Sequence, residues 1–414
     1  MSKIVIVGHS GATVRAIEEI RKSDSQSEVT LISCDGRLPY DRFKLADILA
    51  GNIKENQAFY QTDDFYKKFK VEVVCDQPIS RISFKRSHVT GANKKQWEFD
   101  TLIIADTPET KLPVIKGNNK EGVFGCTRLG QIKEILKYLS LVKTVTVEVT
   151  NVLGIRIACA ITRHKKEVVI VVPTKNILSE LLDEESSAMC QQLFEQSGIQ
   201  VISKNSVQEI LGDLEVKAVR LTSGKVLASD MVIFDGGSPD FKFFAESGLE
   251  LEERIKINDH LRTNLSHVFA VDAVVALNGL VATGAYDNTN EELEEQGRVV
   301  GANASGQDAV YRAPLKTAGF VMEKLSGFWI GKTQLEQGER EFLKFDPQRN
   351  IYKKIFARDD CMIGAVAFNA NKEREKFYKL ITEQTNITGV EEYVVEDHFG
   401  LEQIRKLQDE QRAP

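Results

Sequence analysis

Short apolar runs alternate with helix-like patterns in the first part of the chain. Residues 4–7 form an apolar run that leads into a turn and then into an amphipathic segment over about residues 13–22. A second apolar run follows at residues 29–32. An apolar run, a helical segment and another apolar run predict parallel β-α-β winding, so we expect an α/β fold.

The pattern changes twice further along the chain. We predict a turn-rich, more antiparallel stretch, then a linker, then a second β-α-β unit that closes with a strand. The predicted elements are strands at 71–74 and within 79–97, an apolar strand at 101–105, a linker around 110–122, a strand from Val145, a helix over 155–163, and strands at 167–172 and 231–234. The second unit is therefore predicted to be inserted into the first.

Paired short strands and amphipathic helices characterise the last part of the chain. The predicted elements are strands at 351–357 and 362–368 and helices at 373–383 and near 401–412. We predict two Rossmann-like nucleotide-binding-type domains, one inserted in the other, plus a small α+β C-terminal domain. The predicted boundaries are 1–112 with 240–330 for the first domain, 113–239 for the second, and 331–414 for the third.

Composition limits both the number of domains and the kinds of partner that the protein can have. The 414 residues contain 42% hydrophobic residues, enough for about two or three domains. A net charge of −6 argues against nucleic acid or an anionic membrane as a general partner. No run approaches the roughly 20 apolar residues of a membrane span, and the first strand begins at Ile4 without a leader. We therefore expect a cytoplasmic protein.

The cysteines and histidines show no pattern typical of a redox or metal site. None of the six cysteines forms a CxxC pair, and the six histidines do not cluster with them. We therefore expect no metal site.

Three segments have the length and rhythm of dinucleotide-binding signatures. They lie at residues 4–13, 145–154 and 268–273. The first keeps Gly8 but has the wrong glycine spacing, the second keeps only Gly154, and the third has no glycine. Glycines at these positions normally let a phosphate approach the backbone.

Several modest motifs in a fixed order resemble one enzyme family. They are residues 29–35 ending in Asp35, residues 38–42 ending in Arg42, the strand at 101–105, Gly236 with Pro239, and residues 295–298. Together they resemble the pyridine nucleotide-disulfide oxidoreductase family, in the branch of rubredoxin reductase, NADH oxidase and the nitrite reductase large subunit. The resemblance implies an FAD domain split around an NAD(P)H domain. It also implies hydride transfer from NAD(P)H to FAD and then electron transfer to an acceptor.

The resemblance also indicates candidate cofactor contacts. Asp35 matches the acid that accepts hydrogen bonds from the adenosine ribose, and Asp272 lies one position before the aspartate that binds the ribityl chain. The full set of candidate cofactor-binding residues is Gly8, Ser10, Gly11, Ala12, Cys34, Asp35, Arg42, Ile79, Ala105 and Asp272. No catalytic residue and no metal ligand is expected.

The sequence departs from the family pattern at both nucleotide sites. In the FAD fingerprint Ser10 takes the second glycine position, and Asp106 places a carboxylate beside the expected diphosphate. In the NAD(P)H unit Val149 and Asn151 take the first two glycine positions, and Val172 stands at the ribose-binding acid. These changes leave FAD binding open and argue against NAD(P)H binding.

Three hypotheses about function follow. The first is a degenerate family member without NAD(P)H-driven turnover that acts as a partner or scaffold subunit of an electron-transfer complex. The second is an active FAD flavoprotein that passes electrons between protein partners. The third is an adenine-nucleotide-sensing module that uses Asp35 and the strand at Ile79. We expect a protein partner in a redox complex or a homo-oligomer, with no nucleic acid and no membrane span.

Overall fold

The computed structural model describes most of the chain. The described residues are 1–33, 35–75, 79–106, 110–236, 238–239, 244, 248–252, 254–277, 289–397, 399–404 and 406. The predicted site residue Cys34 and most of the helix predicted near 401–412 lie outside them.

Strands and helices alternate along the described chain. The strands are β1 (Lys3–Val7), β2 (Glu28–Ile32), β3 (Val71–Val74), β4 (Ile79–Ser83), β5 (His88–Gly91), β6 (Gln96–Glu98), β7 (Thr101–Ile104), β8 (Thr110–Lys111), β9 (Val123–Gly125), β10 (Thr144–Glu148), β11 (Glu167–Val171), β12 (Gln200–Ile202), β13 (Val207–Leu211), β14 (Ala218–Leu221), β15 (Val226–Ala228), β16 (Met231–Phe234), β17 (Ser238–Pro239), β18 (Ile255–Ile257), β19 (Val268–Ala270), β20 (Val275–Leu277), β21 (Thr317–Met322), β22 (Leu325–Gly331), β23 (Arg340–Asp346), β24 (Ile351–Arg358) and β25 (Cys361–Phe368). The helices are α1 (Gly11–Ser23), α2 (Lys44–Leu49), α3 (Asp63–Lys68), α4 (Leu129–Leu139), α5 (Val152–Thr162), α6 (Glu184–Gln196), α7 (Asn290–Ala304), α8 (Arg374–Thr382) and α9 (Glu391–Val395).

The chain divides into two compact units, each built from separate segments. The first unit comprises Met1–Asn118, Val123–Leu141 and Phe234–Pro314. The second comprises Asn119–Gly122, Val142–Ile233 and Leu315–Pro414. The predicted division into three domains stays a prediction.

A five-stranded parallel sheet forms the centre of the first unit. Its strand order is β19-β7-β1-β2-β3, and the register pairs Ile4 with Val29 and with Thr101. The carboxyl-terminal parts of β1, β2 and β7 are apolar and buried, as is usual for parallel sheets with both faces covered. A separate antiparallel sheet of β4, β5 and β6 belongs to the same unit.

Helices α1 and α7 of the first unit pack backbone to backbone. A Cβ atom added at Gly297 would lie 2.5 Å from the carbonyl oxygen of Ala12 and 2.6 Å from Cβ of Arg15. A Cβ atom at Gly301 would lie 2.6 Å from the carbonyl oxygen of Ala16. The two glycines, one helical turn apart on α7, therefore set how closely α7 approaches α1.

The second unit contains a parallel sheet and a predominantly apolar helix. Strands β12, β11, β10 and β16 lie side by side in that order. Helix α5 follows β10 and buries most of its residues, because it packs against β10 and β11 and also against β21. A helix that is apolar on all faces must be covered on all faces.

An antiparallel sheet from the last hundred residues completes the second unit. Its strand order is β21-β22-β25-β24-β23, and α8 packs on β22 and β25. The buried ammonium group of Lys354 ties β24 to the start of α6, since its Nζ lies 2.8 Å from Oδ2 of Asp183 and 2.9 Å from Oε2 of Glu185. This sheet already includes β21 and β22, which precede the predicted boundary at residue 331.

The fold class predicted from the sequence is confirmed. The strand predicted at 231–234 is β16, and the strand predicted at 71–74 is β3. The prediction that 71–74 belongs to an antiparallel stretch was wrong, because β3 pairs parallel with β2 at the edge of the five-stranded sheet. The helix predicted from residue 155 begins earlier, at Val152, because the Asn151 side chain caps it.

Replacement of Gly297 by alanine tests the close approach of α7 to α1. We expect Gly297→Ala to lower the free energy of unfolding by about 1–3 kcal/mol through overpacking. The matched control is Gly130→Ala on α4, where an added Cβ meets nothing within 4 Å. Alanine there should be neutral or stabilise by up to about 1 kcal/mol. Urea unfolding followed by circular dichroism measures both, and equal effects of the two changes would contradict the packing.

Candidate functional site

The carboxyl ends of parallel strands in the first unit bring several predicted residues to one edge of the sheet. Gly8 follows β1, Asp35 follows β2, Asp106 follows β7 and Asp272 follows β19. Strands that run in the same direction end at the same edge, which is where open α/β sheets place their ligands. We call this place the carboxyl edge of the first unit.

Gly8 makes the tight turn between β1 and α1. Its φ of +135° lies in a region that side chains rarely adopt, and an added Cβ would lie 2.9 Å from the carbonyl carbon of Ala105 and from the backbone nitrogen of Asp106. The turn therefore requires glycine for its conformation and for its close approach to the end of β7.

Ser10 caps α1 with its own side chain. Its Oγ accepts a hydrogen bond from the N–H of Ala12 at 3.2 Å, and its carbonyl oxygen accepts one from Oγ1 of Thr13 at 2.7 Å. Ser10 is 3% exposed. A serine oxygen thus occupies the amino end of the helix, where the N–H groups of a dinucleotide-binding turn would face a phosphate.

The carboxylate of Asp106 lies at the centre of a buried ion cluster formed by His9, Arg42, Asp106 and Arg128. Oδ2 of Asp106 accepts hydrogen bonds from Nη2 of Arg42 and from Nη1 of Arg128, each at 2.9 Å. Nδ1 of His9 lies 2.8 Å from the same oxygen. The side chains of Asp106 and His9 are 4% and 0% exposed, so the cluster is shielded from water.

The cluster fixes the charges of its members. Burial alone would raise the pKa of Asp106, but the guanidinium groups of Arg128 and Arg42, together with His9, hold that pKa well below its usual range. Burial lowers the pKa of His9, an effect that Asp106 opposes and Arg128 reinforces. At neutral pH the cluster therefore contains a charged carboxylate, two guanidinium groups and a neutral imidazole.

Asp35 accepts hydrogen bonds from its own chain on both carboxylate oxygens. The hydroxyl group of Tyr40 donates to Oδ2 at 2.6 Å and accepts from the N–H of Leu129, the first residue of α4, at 3.1 Å. Oδ1 accepts from the backbone N–H of Arg37 at 3.2 Å. Tyr40 therefore links the end of β2 to the start of α4.

Tyr60 covers the first residue of α1. An added Cβ at Gly11 would lie 2.8 Å from the Tyr60 ring and from its hydroxyl oxygen. That hydroxyl donates to Oδ1 of Asn290 at 2.9 Å, and the Asn290 amide donates to Oδ2 of Asp41 at 3.0 Å. The cavity that Tyr60 borders there measures about 20 Å³, which is room for about one water molecule.

Asp272 lies on the other side of Arg42. Nη1 of Arg42 is 3.9 Å from Oδ2 of Asp272, and the backbone N–H of Asp272 donates to Oε1 of Gln296 at 2.6 Å. The φ of Asp272 is +64°, which aspartate tolerates better than most residues. Arg42 therefore joins the carboxyl ends of β7 and β19.

The carboxyl edge of the first unit carries more carboxylates than guanidinium groups. The carboxylates belong to Asp35, Asp106 and Asp272, and the guanidinium groups to Arg42 and Arg128. A diphosphate would bring further negative charge to a place with almost no water. Charges are buried only when they are paired, so Asp106 would first have to give up its arginines.

The structure brings together most of the predicted site residues, namely Gly8, Ser10, Gly11, Ala12, Asp35, Arg42, Ala105 and Asp272. Ile79 lies in the hydrophobic core at the start of β4 and is 5% exposed. Sequence reasoning missed Arg128, His9 and Tyr40 as site residues. One signal pointed to Arg128 indirectly, since a carboxylate directly after the buried strand β7 requires a cation.

The corresponding turn of the second unit is also closed by its own side chain. Oδ1 of Asn151 accepts from the N–H of Gly154 at 3.2 Å, and Asn151 is 3% exposed. At the end of β11 stands Val172, which is 1% exposed. Glu148, the last residue of β10, accepts from the N–H of Val207 at 2.6 Å, and burial raises the pKa of its carboxyl group.

The described residues contain no group of three or more His, Cys, Asp or Glu side chains that could hold a metal ion. The cysteines among them, which are Cys75, Cys126, Cys159, Cys190 and Cys361, are all outside disulfide bonds. Within the described ranges no helix is long and apolar enough to cross a bilayer.

Family models match most of this chain. Residues 2–295 match the model of pyridine nucleotide-disulphide oxidoreductases, and residues 325–385 match the rubredoxin NAD+ reductase C-terminal domain. The chain belongs to the pyridine nucleotide-disulphide oxidoreductase family. The resemblance inferred from the motifs is thereby confirmed. Members of this family bind FAD and NAD(P)H and transfer electrons to partners.

The relatives of this chain differ in length. The chain is 21% identical over 397 residues to an assimilatory nitrate reductase electron transfer subunit of Bacillus subtilis, covering 95% of this chain and 51% of that protein. It is 22% identical to the epsilon subunit of an NADH-dependent phenylglyoxylate dehydrogenase of Aromatoleum evansii, covering 94% and 93%. The chain thus spans about half the length of the former and nearly all of the latter.

Solved structures share the fold. A ferredoxin reductase from Rhodopseudomonas palustris superposes with a TM-score of 0.83 at 17% identity, covering 97% of this chain and 99% of that one. Putidaredoxin reductase, solved in a covalent complex with putidaredoxin, also gives 0.83, at 18% identity and 99% coverage of both chains.

Removal of the Tyr40 hydroxyl tests the link between Asp35 and α4. We expect Tyr40→Phe to lower the free energy of unfolding by about 1–3 kcal/mol, because it leaves the N–H of Leu129 and an oxygen of Asp35 without this partner. The matched control is Tyr66→Phe, since the buried hydroxyl of Tyr66 has no hydrogen-bond partner among the described residues. That change should be neutral or stabilising. Urea unfolding compares them, and an equal loss in both variants would rule out the link.

The buried imidazole of His9 predicts acid sensitivity. The pKa of His9 is lowered from 6.5 in the folded chain, so the unfolded chain takes up a proton that the folded chain excludes. Stability should therefore fall as the pH drops below about 6.5, with up to about 1.4 kcal/mol per pH unit from this residue. Urea unfolding between about pH 7 and pH 5 measures the slope.

The His9→Gln variant isolates the contribution of this residue. It should show a shallower pH dependence than the natural chain, whereas the control His88→Gln, on β5 outside the cluster, should keep the full slope. A slope that is the same in all three proteins would show that His9 is not held neutral.

Proposed function

We propose that this chain is a subunit of an electron-transfer complex that acts as a partner or scaffold and does not itself turn over NAD(P)H. Two kinds of observation support the proposal. Its relatives include a protein named as an electron transfer subunit and another named as a dehydrogenase subunit. The chain's own residues close the turns where its family places nucleotides.

The observation that carries the proposal is the turn between β10 and α5. Asn151 caps α5 through the N–H of Gly154, a group that would face the nicotinamide dinucleotide's diphosphate in a dinucleotide-binding turn. Because Asn151 is buried, its side chain does not give way without the loss of a buried hydrogen bond, which costs about 1–3 kcal/mol.

The end of β11 adds a second obstacle to NAD(P)H. Val172 occupies the position at which a dinucleotide-binding unit has an acid for the ribose hydroxyl groups, and it is packed into the core. A valine offers no hydrogen-bond acceptor, so a ribose placed there would lose its partner. Loss of a hydrogen bond to a buried polar group typically weakens binding strongly.

A second candidate function is supported by the first unit. An FAD protein that exchanges electrons between protein partners would need the tight turn at Gly8, and this turn retains the geometry that only glycine allows. Asp35 and Arg42 also stand at the carboxyl edge of the first unit. The two functions differ in whether the protein isolated from its own cells carries a flavin, which the second function requires.

Addition of NADH or NADPH to the purified protein tests the proposed function. With FAD and ferricyanide added, we expect the absorbance of NADH and of NADPH to show no oxidation. We also expect neither nucleotide to raise the Tm of the protein. A bound ligand at 100 times its Kd would add about 2.7 kcal/mol of stability, so binding would be visible. A water-forming NADH oxidase of the same fold serves as the positive control.

The native mass and visible absorbance of the protein from its own cells complete the test. A stoichiometric complex with a redox protein and no NADH oxidation would support the proposal. A yellow protein that accepts electrons from a partner would favour the flavoprotein. Stabilisation by AMP or ADP alone would favour a nucleotide sensor, and NADH-driven turnover would refute the proposed function.

A further inference from the structure

Three distant segments of the first unit converge on one carboxylate oxygen. Arg42 precedes α2, Arg128 precedes α4 and His9 follows β1, yet all three contact Oδ2 of Asp106. Both arginine side chains are 12% exposed. Two guanidinium groups beside a β-strand, a tight glycine turn and a helix form the arrangement that suits a phosphate group.

We infer that Asp106 is a built-in anion that closes a diphosphate site formed by Arg42 and Arg128. While Asp106 is in place, the site excludes the diphosphate of a nucleoside diphosphate or dinucleotide. This inference rests on the proposed function. It explains how the turn between β1 and α1 can persist as a structural element in a protein that does not use it to bind a nucleotide.

Asp106 is distinguished from the other carboxylates of the edge by its position. It contacts both guanidinium groups at 2.9 Å, whereas Asp272 lies 3.9 Å from Arg42 and Asp35 lies 3.7 Å from His9. Asp106 therefore stands where one carboxylate neutralises both cations.

A diphosphate would have to compete with Asp106 for the same donors. If it displaced the carboxylate, a buried charge would lose its partners, and if it bound beside the carboxylate, like charges would meet at short range. Both outcomes oppose binding, and both penalties become smaller when the charge of Asp106 is removed.

The inference is tested with Asp106→Asn, which removes the charge and keeps the size of the side chain. Isothermal titration at constant ionic strength compares inorganic diphosphate, ADP and FAD on the natural protein and on the variant. We expect binding of diphosphate or ADP to become about 100-fold tighter in the variant. The ADP and FAD measurements show whether the adenosine part contributes to binding.

The control Asp64→Asn makes the same chemical change on the exposed face of α3, outside the cluster, and should leave diphosphate binding as weak as in the natural protein. Equal affinity of the natural protein and Asp106→Asn would overturn the inference. So would a folded Asp106→Asn that binds none of the probes, or a natural protein that binds FAD tightly.

The variant removes the negative charge that two buried guanidinium groups contact, and this loss can prevent folding. In that case it is refolded with diphosphate and, separately, with potassium chloride at the same ionic strength. Recovery with diphosphate alone supports the inference, and failure in both contradicts it. NADH oxidation tests the proposed function, whereas the titrations with diphosphate and ADP test Asp106 without involving the turn at Asn151, so the two failures can be told apart.

Discussion

A carboxylate buried away from water must be neutralised by its neighbours, and the carboxyl edge of the first unit is organised around this requirement at Asp106. The two arginines that meet it come from positions 64 residues upstream and 22 residues downstream. Breaking such a buried pair by removing one partner typically costs about 3–5 kcal/mol. The position of the segments that carry Arg42 and Arg128 therefore depends on the charge of a single residue at the end of β7.

The turn between β1 and α1 in the first unit and the turn between β10 and α5 in the second unit are capped in the same way. Ser10 and Asn151 each accept a hydrogen bond from an N–H group in the first turn of the helix that follows. A helix whose first N–H groups are satisfied by its own chain does not need an anion for stability. Both β-α connections thus carry a side-chain cap of their own.

Sequence patterns predicted the fold class and strands such as 231–234, because the length and composition of this apolar run favour a buried strand. The sequence places Ser10 at the second glycine position of the first turn, and in the structure Ser10 caps α1. The ion cluster was beyond the sequence alone. No local pattern marks Arg128, since its partner is brought to it by tertiary folding, and the role of Tyr40 depends on a hydrogen bond to a backbone group 89 residues away.

The apolar helix α5 has a consequence for how the second unit can be divided. Helix α5 packs against the parallel strands β10 and β11 and also against β21. Residues from the last hundred positions of the chain therefore cover part of its apolar surface. A fragment that ends before Thr317 would expose an apolar face of this helix to solvent and would tend to aggregate. An expressed fragment of the second unit should therefore contain both its parallel sheet and its C-terminal antiparallel sheet.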